Sequence, residues 1–149
     1  MFACEDTTNN LKNPFRSYPT GKISLPSGNN VNIFIATDPE QQQLGLSHLK
    51  DNELKSNEGM LFPSKTYKVR QFWMPDTHFN LDIYFLNEDF YVLDVHRNLQ
   101  HFPKSGPKEE VPISKQVECM HVLELKSSSS LAKEIQPGML LNWSGPKNL

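Results

Sequence analysis

The sequence predicts a mainly β fold, either a β-sandwich or a partly open barrel, with largely antiparallel strands and one or two short covering helices. Three observations support this prediction. Short apolar runs recur along the chain, turn-forming residues separate them, and nine phenylalanines and eleven prolines among 149 residues favour short strands and many turns.

The length of 149 residues fits a single domain, and a domain of this size can bury roughly 68–70% of its unfolded surface. We expect a flexible polar tail over residues 1–20, one folded domain over residues 21–145, and a monomer. The net charge of −2 comes from scattered residues, which predicts no nucleic-acid partner. No run approaches the roughly 18 consecutive apolar residues of a membrane helix.

The first elements are predicted to be a β-hairpin and a helix. Two β-prone runs, Lys22–Leu25 and Val31–Ala36, are joined by a Pro-Ser-Gly-Asn-Asn turn. A helix then starts in the segment 37–41, with Asp38 as N-cap or with the threonine and glutamate of that segment as a capping box. Leucines at helical spacing extend the predicted helix to about Lys50.

The rest of the chain is predicted to form short strands and a second small helix. The strands are Gly59–Phe62, Val69–Met74, Leu81–Leu86, Phe90–His96, Gln116–Leu125 and Met139–Trp143. The Asn-Glu-Asp sequence at 87–89 predicts the clearest hairpin of the chain. A short helix is predicted over Leu131–Ile135, with Ser130 as its N-cap. Residues 99–112 form a long loop, and loops of that length are often functional or mobile.

Alternation within the strands predicts a sheet that is buried on both faces or that lines a partly polar pocket. Leu81, Ile83 and Phe85 share one side of their strand, whereas Asp82 shares the other side with a tyrosine and a leucine. Glu124 likewise interrupts an apolar strand.

The segment from Gln71 to Phe85 is the most informative part of the sequence, because polar residues inside an apolar context are costly unless they are paired, exposed or functional. The candidate ligand-binding residues in and around it are Trp73, Asp76, Thr77, Asp82, His96 and Glu124.

These candidates have alternative interpretations. Trp73 is either a stacking platform for a ligand or a core residue. Asp82 is either a buried acid that accepts hydrogen bonds from the turn of Asp76 and Thr77, or one member of a carboxylate pair. In the second case it works with Asp76 or Glu124 in glycoside or ester hydrolysis.

Motifs of several enzyme classes are absent from the sequence. It contains no CxxC, HExxH, GxSxG, GxGxxG or P-loop. Pairs such as Asp94-x-His96 and Cys119-x-His121 occur too often by chance to predict a metal site. We therefore predict neither a metal nor a cofactor and assign no catalytic residue.

The sequence begins Met-Phe-Ala-Cys, which resembles the end of a bacterial lipoprotein signal, where a small residue precedes the lipidated cysteine. The basic and apolar regions of such a signal are missing, so this interpretation requires a trimmed chain. Cys4 is then a lipid anchor in the cell envelope, with the tail as a tether. The alternative is an ordinary cysteine of a cytoplasmic protein. We do not expect a disulfide between Cys4 and Cys119.

The order of several motifs resembles the bacterial and archaeal family called domain of unknown function 192. These motifs are GMLF (Gly59–Phe62), FWMPDT (Phe72–Thr77), LDIYF (Leu81–Phe85) and HVLEL (His121–Leu125), with Gly45-Leu46 and Pro137-Gly138 in the fitting places. The resemblance covers nearly the whole chain. It implies a compact β-rich fold, frequent export or lipoprotein status, and no settled biochemical activity.

The chain departs from the pattern of that family at charged positions. Leu44 and Leu49 stand where arginines are usual, Pro75-Asp76 replaces Lys-Asn, and Asn80 replaces a proline. A loss of positive charge together with a gained acid predicts a more acidic pocket, in which anion binding is less favoured.

The predicted function is a non-enzymatic binding or interaction module at the cell envelope, either periplasmic or on the outer surface. Its partner would be a small molecule, a glycan or a peptide held near Trp73 and Asp82. The alternative is a carbohydrate-active hydrolase that uses paired carboxylates. A third possibility places the function in the loop 99–112.

Overall fold

The computed structural model describes residues 13–149, so Cys4 lies outside the described residues. Within this range the strands are β1 (Thr20–Ser24), β2 (Asn30–Ile35), β3 (Glu58–Phe62), β4 (Lys68–Arg70), β5 (Leu81–Leu86), β6 (Val92–Leu99), β7 (Val117–Cys119), β8 (His121–Lys126) and β9 (Asn142–Ser144). The helices are α1 (Pro39–Leu44) and α2 (Ser130–Glu134), with 3-10 turns at Phe15–Ser17, Asp51–Glu53 and Lys108–Glu110. None of the helices described is long and apolar enough to cross a membrane.

Seven strands form one sheet in the order β6-β5-β8-β3-β2-β1-β9, and β4 pairs with β7 in a second, small sheet. Every strand pair in the large sheet is antiparallel except β2 with β3. The large sheet curls into a half-barrel. The predicted mainly β fold, with a partly open barrel and two short helices, is confirmed.

Both faces of the large sheet are buried, which is one of the two arrangements that the alternation allowed. The first face, covered by the small sheet and by the chain after α1, carries a cluster that includes Phe34, Met60, Phe62, Leu81, Ile83, Phe85 and Val122. The second face, covered by α2, carries a cluster that includes Ile33, Leu61, Tyr84, Leu86, Leu123, Leu125 and Ile135.

The pairing of β5 with β8 determines where the acids of these strands lie. Ile83 is paired with Glu124, and Asp82 is paired with Leu125. Paired residues of an antiparallel ladder point to the same side of the sheet. Glu124 therefore belongs to the first face and Asp82 to the second, so the two carboxyl groups are separated by the sheet itself.

Part of the predicted N-terminal tail is packed. Phe15 and Tyr18 are buried, and the Phe15 ring meets Phe34 edge to face at 4.9 Å. Arg16 forms an ion pair with Glu58 at 3.0 Å. The folded body therefore begins several residues before the predicted boundary at residue 21, because two aromatic side chains in the polar segment complete the first face.

Helix α1 starts as predicted but ends early. The side chain of Asp38 accepts a hydrogen bond from the backbone N–H of Gln41 at 2.8 Å, and Pro39 occupies the first turn. The helix stops at Leu44 instead of near Lys50, because Gly45 adopts a φ of 53° that leaves the helical region.

Two predicted strands are divided differently in the structure. The run 116–125 breaks at Met120, so β7 joins the small sheet and β8 joins the large one. The run 69–74 is a strand only as far as Arg70, after which Trp73 makes an isolated bridge to Ile113.

Candidate ligand-binding site

A pocket of about 420 Å³ lies over the first face, between the large sheet, the small sheet and the end of α1. We call it the Trp73 pocket. Most of its wall is apolar, formed by Leu44, Leu46, Phe62, Val69, Phe72, Trp73, Met74, Pro75 and Leu81. This volume and this lining are typical of sites for small organic ligands, which are largely apolar with a few polar groups.

Among the residues that the structure describes, Glu124 on β8 is the one carboxylic acid that lines the pocket. The residue is 4% exposed, and within residues 13–149 its carboxyl group accepts no hydrogen bond and has no cationic nitrogen within 4.0 Å. Burial raises the pKa of Glu124 to about 8, although the nearby Arg70 acts to lower it. The side chain is therefore mostly a neutral carboxylic acid at pH 7.

Arg70, at the end of β4, is the second ionisable group buried in the pocket wall. It is 8% exposed, and its Nη1 donates to the backbone carbonyls of Phe62 at 3.4 Å and Met120 at 3.2 Å. Its guanidinium lies over the ring of Phe72, 5.4 Å from the centroid. Desolvation lowers the pKa of Arg70, but an arginine stays protonated in proteins.

Arg70 and Glu124 face one pocket without forming an ion pair. No oxygen of Glu124 comes within 4.0 Å of the guanidinium nitrogens. The N–H donors of Arg70 other than those on Nη1 find no acceptor within residues 13–149. The pocket therefore contains unused hydrogen-bonding groups of both side chains. Its wall is apolar over most of its area but also includes the side chains of Gln42, Gln43, Ser47, Lys68, Gln71 and Thr77.

Trp73 lies at the mouth of the pocket and is 43% exposed. Its indole N–H has no acceptor in the described part of the chain, whereas the indole N–H of Trp143 donates to the carbonyl of Pro146 at 3.0 Å. An exposed indole with a free donor matches the prediction of a stacking platform better than that of a core residue.

Thr77 also lines the pocket, but its hydroxyl is engaged in the turn that follows Trp73. Its Oγ1 donates to the carbonyl of Met74 at 2.8 Å and accepts from the backbone N–H of Phe102 at 3.0 Å. Thr77 therefore fixes the shape of the rim.

Asp76 stands outside the pocket lining. It has a φ of 55°, its carbonyl accepts from the backbone N–H of His48 at 2.8 Å, and its carboxylate accepts from Ser105 Oγ at 3.1 Å. These contacts connect three loops. Asp76 does not share a cavity with Asp82 or Glu124.

Asp82 is buried on the second face and its oxygens are occupied. They accept from Arg97 Nη1 at 2.9 Å, from the backbone N–H of Asn98 at 2.8 Å and from Ser127 Oγ at 2.8 Å. The structural interpretation of Asp82 fits this geometry, but its donors come from β6 and the end of β8, not from the turn of Asp76 and Thr77.

His96 lies apart from the Trp73 pocket. Its Nδ1 accepts from the backbone N–H of Lys115 at 3.0 Å, and burial lowers its pKa. The structure thus brings together Trp73, Thr77 and Glu124 and separates them from Asp76, Asp82 and His96.

Within residues 13–149, no group of three or more histidine, cysteine, aspartate or glutamate side chains is arranged to hold a metal ion. Cys119 is buried, and burial raises the pKa of its thiol to about 11, which makes it a poor nucleophile.

Two lining residues were not among the predicted site residues: Arg70, and Phe72, which was named only as part of the FWMPDT motif. Lys68, Arg70 and Phe72 alternate along one run, so they share a side. This alternation was the one sequence signal that groups Arg70 with Phe72. It does not predict that the small sheet packs with these side chains toward the large sheet.

Comparison with known proteins agrees with the fold. The model of the family described as "Uncharacterized ACR", domain of unknown function 192, matches residues 23–143. No curated protein matches the chain significantly.

Two crystal structures are similar to this chain. One, from Sinorhizobium meliloti 1021 and provisionally described as a transcription regulator, has a TM-score of 0.65 and 21% identity over 85% of this chain and 92% of that one. The other, a protein of unknown function from Novosphingobium aromaticivorans DSM 12444, has a TM-score of 0.62 and 25% identity over 83% of this chain and 84% of that one. At 21% identity, the similarity to the Sinorhizobium meliloti structure supports a shared fold and nothing further.

Proposed function

The chain belongs to the domain of unknown function 192 family, and we propose that this member is a non-enzymatic binding protein that holds a small organic molecule in the Trp73 pocket. One observation carries the proposal. A buried carboxyl group, that of Glu124, faces a cavity of ligand size and has no partner in the described part of the chain. Burying a polar group without a partner is costly, and a bound ligand would offset that cost.

The motifs of the family support the same location. Phe62 of GMLF, the Phe72–Met74 part of FWMPDT, Leu81 of LDIYF and Glu124 of HVLEL all line this one pocket. These segments are far apart in the sequence, so their convergence is a property of the fold.

The lining favours binding over glycoside hydrolysis. A glycosidase of the common type places two carboxyl groups about 5–10 Å apart on either side of the scissile bond. Within residues 13–149, Glu124 has no second acid beside it in the lining, and Asp82 lies on the other face of the sheet.

Nuclear magnetic resonance of the ¹⁵N-labelled protein tests the proposal. A collection of small aromatic acids, amides, amines and sugars would be added, and the two indole N–H signals would be followed. We expect some of these compounds to shift the signal of Trp73, which lies at the pocket mouth, and to leave that of Trp143 unchanged. If no compound moves the Trp73 signal, or if both indoles always shift together, the pocket is not a specific site.

We also propose that the protein works in the cell envelope, anchored by a lipid on Cys4. The support is the Met-Phe-Ala-Cys sequence and the resemblance of the chain to an often exported family. Bacteria expressing the protein from its native gene would be labelled with an alkyne-bearing fatty acid. Incorporation that is lost in Cys4→Ala is the expected result, and equal labelling of both proteins would contradict it.

A further inference from the structure

The charges of the Trp73 pocket point to the chemistry of its ligand. Arg70 brings a buried positive charge with no carboxylate of residues 13–149 within 4.0 Å, and the exposed Lys68 lines the same pocket. Glu124 adds a carboxyl group that lines the pocket and accepts no hydrogen bond from residues 13–149. Arg70 and Glu124 are both more than nine-tenths buried.

We infer that the ligand is a small organic carboxylic acid with a flat apolar body. Its carboxylate would accept hydrogen bonds from Arg70 and from the Glu124 carboxyl group, and its body would lie against Phe72 and Trp73. This inference rests on the proposed function, because it names the chemical class that the same pocket takes.

The alternatives leave an unfavourable charge in place. A cationic ligand would be repelled by Arg70 and Lys68. A neutral ligand would leave the buried guanidinium of Arg70 without a counter-charge. A carboxylate supplies that counter-charge and matches the planar fork of an arginine.

Anion binding was not expected from the sequence, because Leu44 and Leu49 replace arginines of the family pattern. Arg70 supplies a cation from another element, β4, so the loss of positive charge near α1 does not leave the pocket without one.

The state of Glu124 makes the recognition depend on pH. As a neutral acid, Glu124 donates its O–H to the ligand, and as a carboxylate it repels the ligand. The charged groups that line the pocket around it are Arg70 and Lys68 of β4, while its cross-strand neighbours are Met60 of β3 and Ile83 of β5. The pKa of Glu124, about 8, places the change at mildly alkaline pH.

Three ligands that share one body test the inference: 3-phenylpropionate, 3-phenylpropionamide and 3-phenylpropylamine. Each would be titrated to about 10 mM at pH 7 with the Trp73 indole signal as readout, since compounds of this size bind with millimolar or tighter affinity. We expect the carboxylate to bind at least about tenfold more tightly than the amide, because its hydrogen bonds are charge-assisted, and the amine to bind most weakly.

The outcomes separate the two proposals. If the amide or the amine binds as tightly as the carboxylate, the pocket binds ligands but the inferred class is wrong. If none of the three shifts the Trp73 signal while other compounds of the wider collection do, the inferred class is wrong and the proposed function stands. If no compound of the collection shifts it, the proposed function fails as well. N-acetylphenylalanine extends the comparison, because its binding at the affinity of 3-phenylpropionate would indicate that the end of a peptide is also accepted.

The pH dependence gives a second readout that needs only one conservative variant. With a pKa of about 8 for Glu124, the affinity for 3-phenylpropionate should fall about tenfold between pH 7 and pH 9. In Glu124→Gln, which keeps an N–H donor at this place, the affinity should stay constant over the same range. Glu109→Gln, at an exposed position, should behave as the unaltered protein. An affinity that is constant or rises with pH in the unaltered protein would overturn the inference.

Discussion

Replacing Glu124 with glutamine should change how the stability of the protein depends on pH. The substitution keeps the size of a side chain that is 4% exposed but removes its titration. In the unaltered protein, the unfolded chain releases the proton of Glu124 near the ordinary pKa of 4.5, whereas the folded protein keeps it until about 8. Between these values the folded state binds the extra proton, so rising pH favours unfolding.

The magnitude follows from these two pKa values. Between pH 5 and pH 8 the unaltered protein should lose about 3.5 kcal/mol of its free energy of unfolding through Glu124 alone. Solvent screening reduces this little, because the carboxyl group is buried. The Gln variant lacks this loss, so the variant should gain about that much stability relative to the unaltered protein over this range.

Urea unfolding at pH 5, 6, 7 and 8, followed by circular dichroism, gives the free energy of unfolding of both proteins by linear extrapolation. Other groups, such as His96 and His121 with their lowered pKa values, change the stability of both proteins alike and cancel in the difference. Glu109→Gln should show a constant difference from the unaltered protein, because the site is exposed. A constant difference for Glu124→Gln as well would refute the reasoning, since Glu124 would then ionise normally in the folded protein.

Three further predictions concern the scaffold. Asp82→Ala should lower the free energy of unfolding by about 2–4 kcal/mol, because the Arg97 guanidinium and the Asn98 backbone N–H lose their acceptor. Thermal unfolding should show this loss, whereas the exposed control Asp89→Ala should show almost no change. Gly59→Ala should cost about 1–3 kcal/mol in urea unfolding, because the new Cβ would stand 2.8 Å from a backbone oxygen of β8. Cys119, whose thiol pKa burial raises to about 11, should not react with a disulfide reagent at pH 8 in folded Cys4→Ala protein and should react after unfolding. An unchanged urea midpoint or a rapid reaction of the folded protein would contradict the last two.

Most of the strands and the start of α1 could be predicted because their signals are local. Alternation, turn residues and an N-cap are properties of a few neighbouring residues. The end of α1 was placed too late because Leu46 and Leu49 keep helical spacing, yet they pack on the first face from an irregular segment after Gly45. The break at Met120 was not predictable in this way, because only pairing with distant strands assigns β7 and β8 to different sheets.

The sequence predicted several residues of the candidate site, but it did not predict which of them share one pocket. Asp82 and Glu124 both interrupt apolar strands, and the sequence allowed them to act together. Their separation follows from the register of β5 against β8, and a shift of one residue would exchange the faces. Arg70 was not predicted as a site residue. Its burial depends on the small sheet lying over the large one, and no local sequence pattern predicts that packing.

Each face of the large sheet carries an arginine near a buried carboxylic acid, but the two form an ion pair on the second face only. On the second face, Asp82 and Arg97 meet at 2.9 Å, and Arg97 also donates to the carbonyl of Ala132 in α2 at 2.9 Å. That pair is complete and attaches a helix to the sheet. On the first face, Glu124 and Arg70 stay more than 4.0 Å apart with a cavity before them.

An arginine and an acid that only stabilised the fold would be expected to close on each other, because a buried charge without a partner is unfavourable. The chain makes such a closed pair on the second face, with Asp82 and Arg97. The open arrangement of Arg70 and Glu124 is therefore not explained by packing, and it leaves room between two buried polar groups for a third. A ligand carboxylate is the group that would satisfy both of them at once.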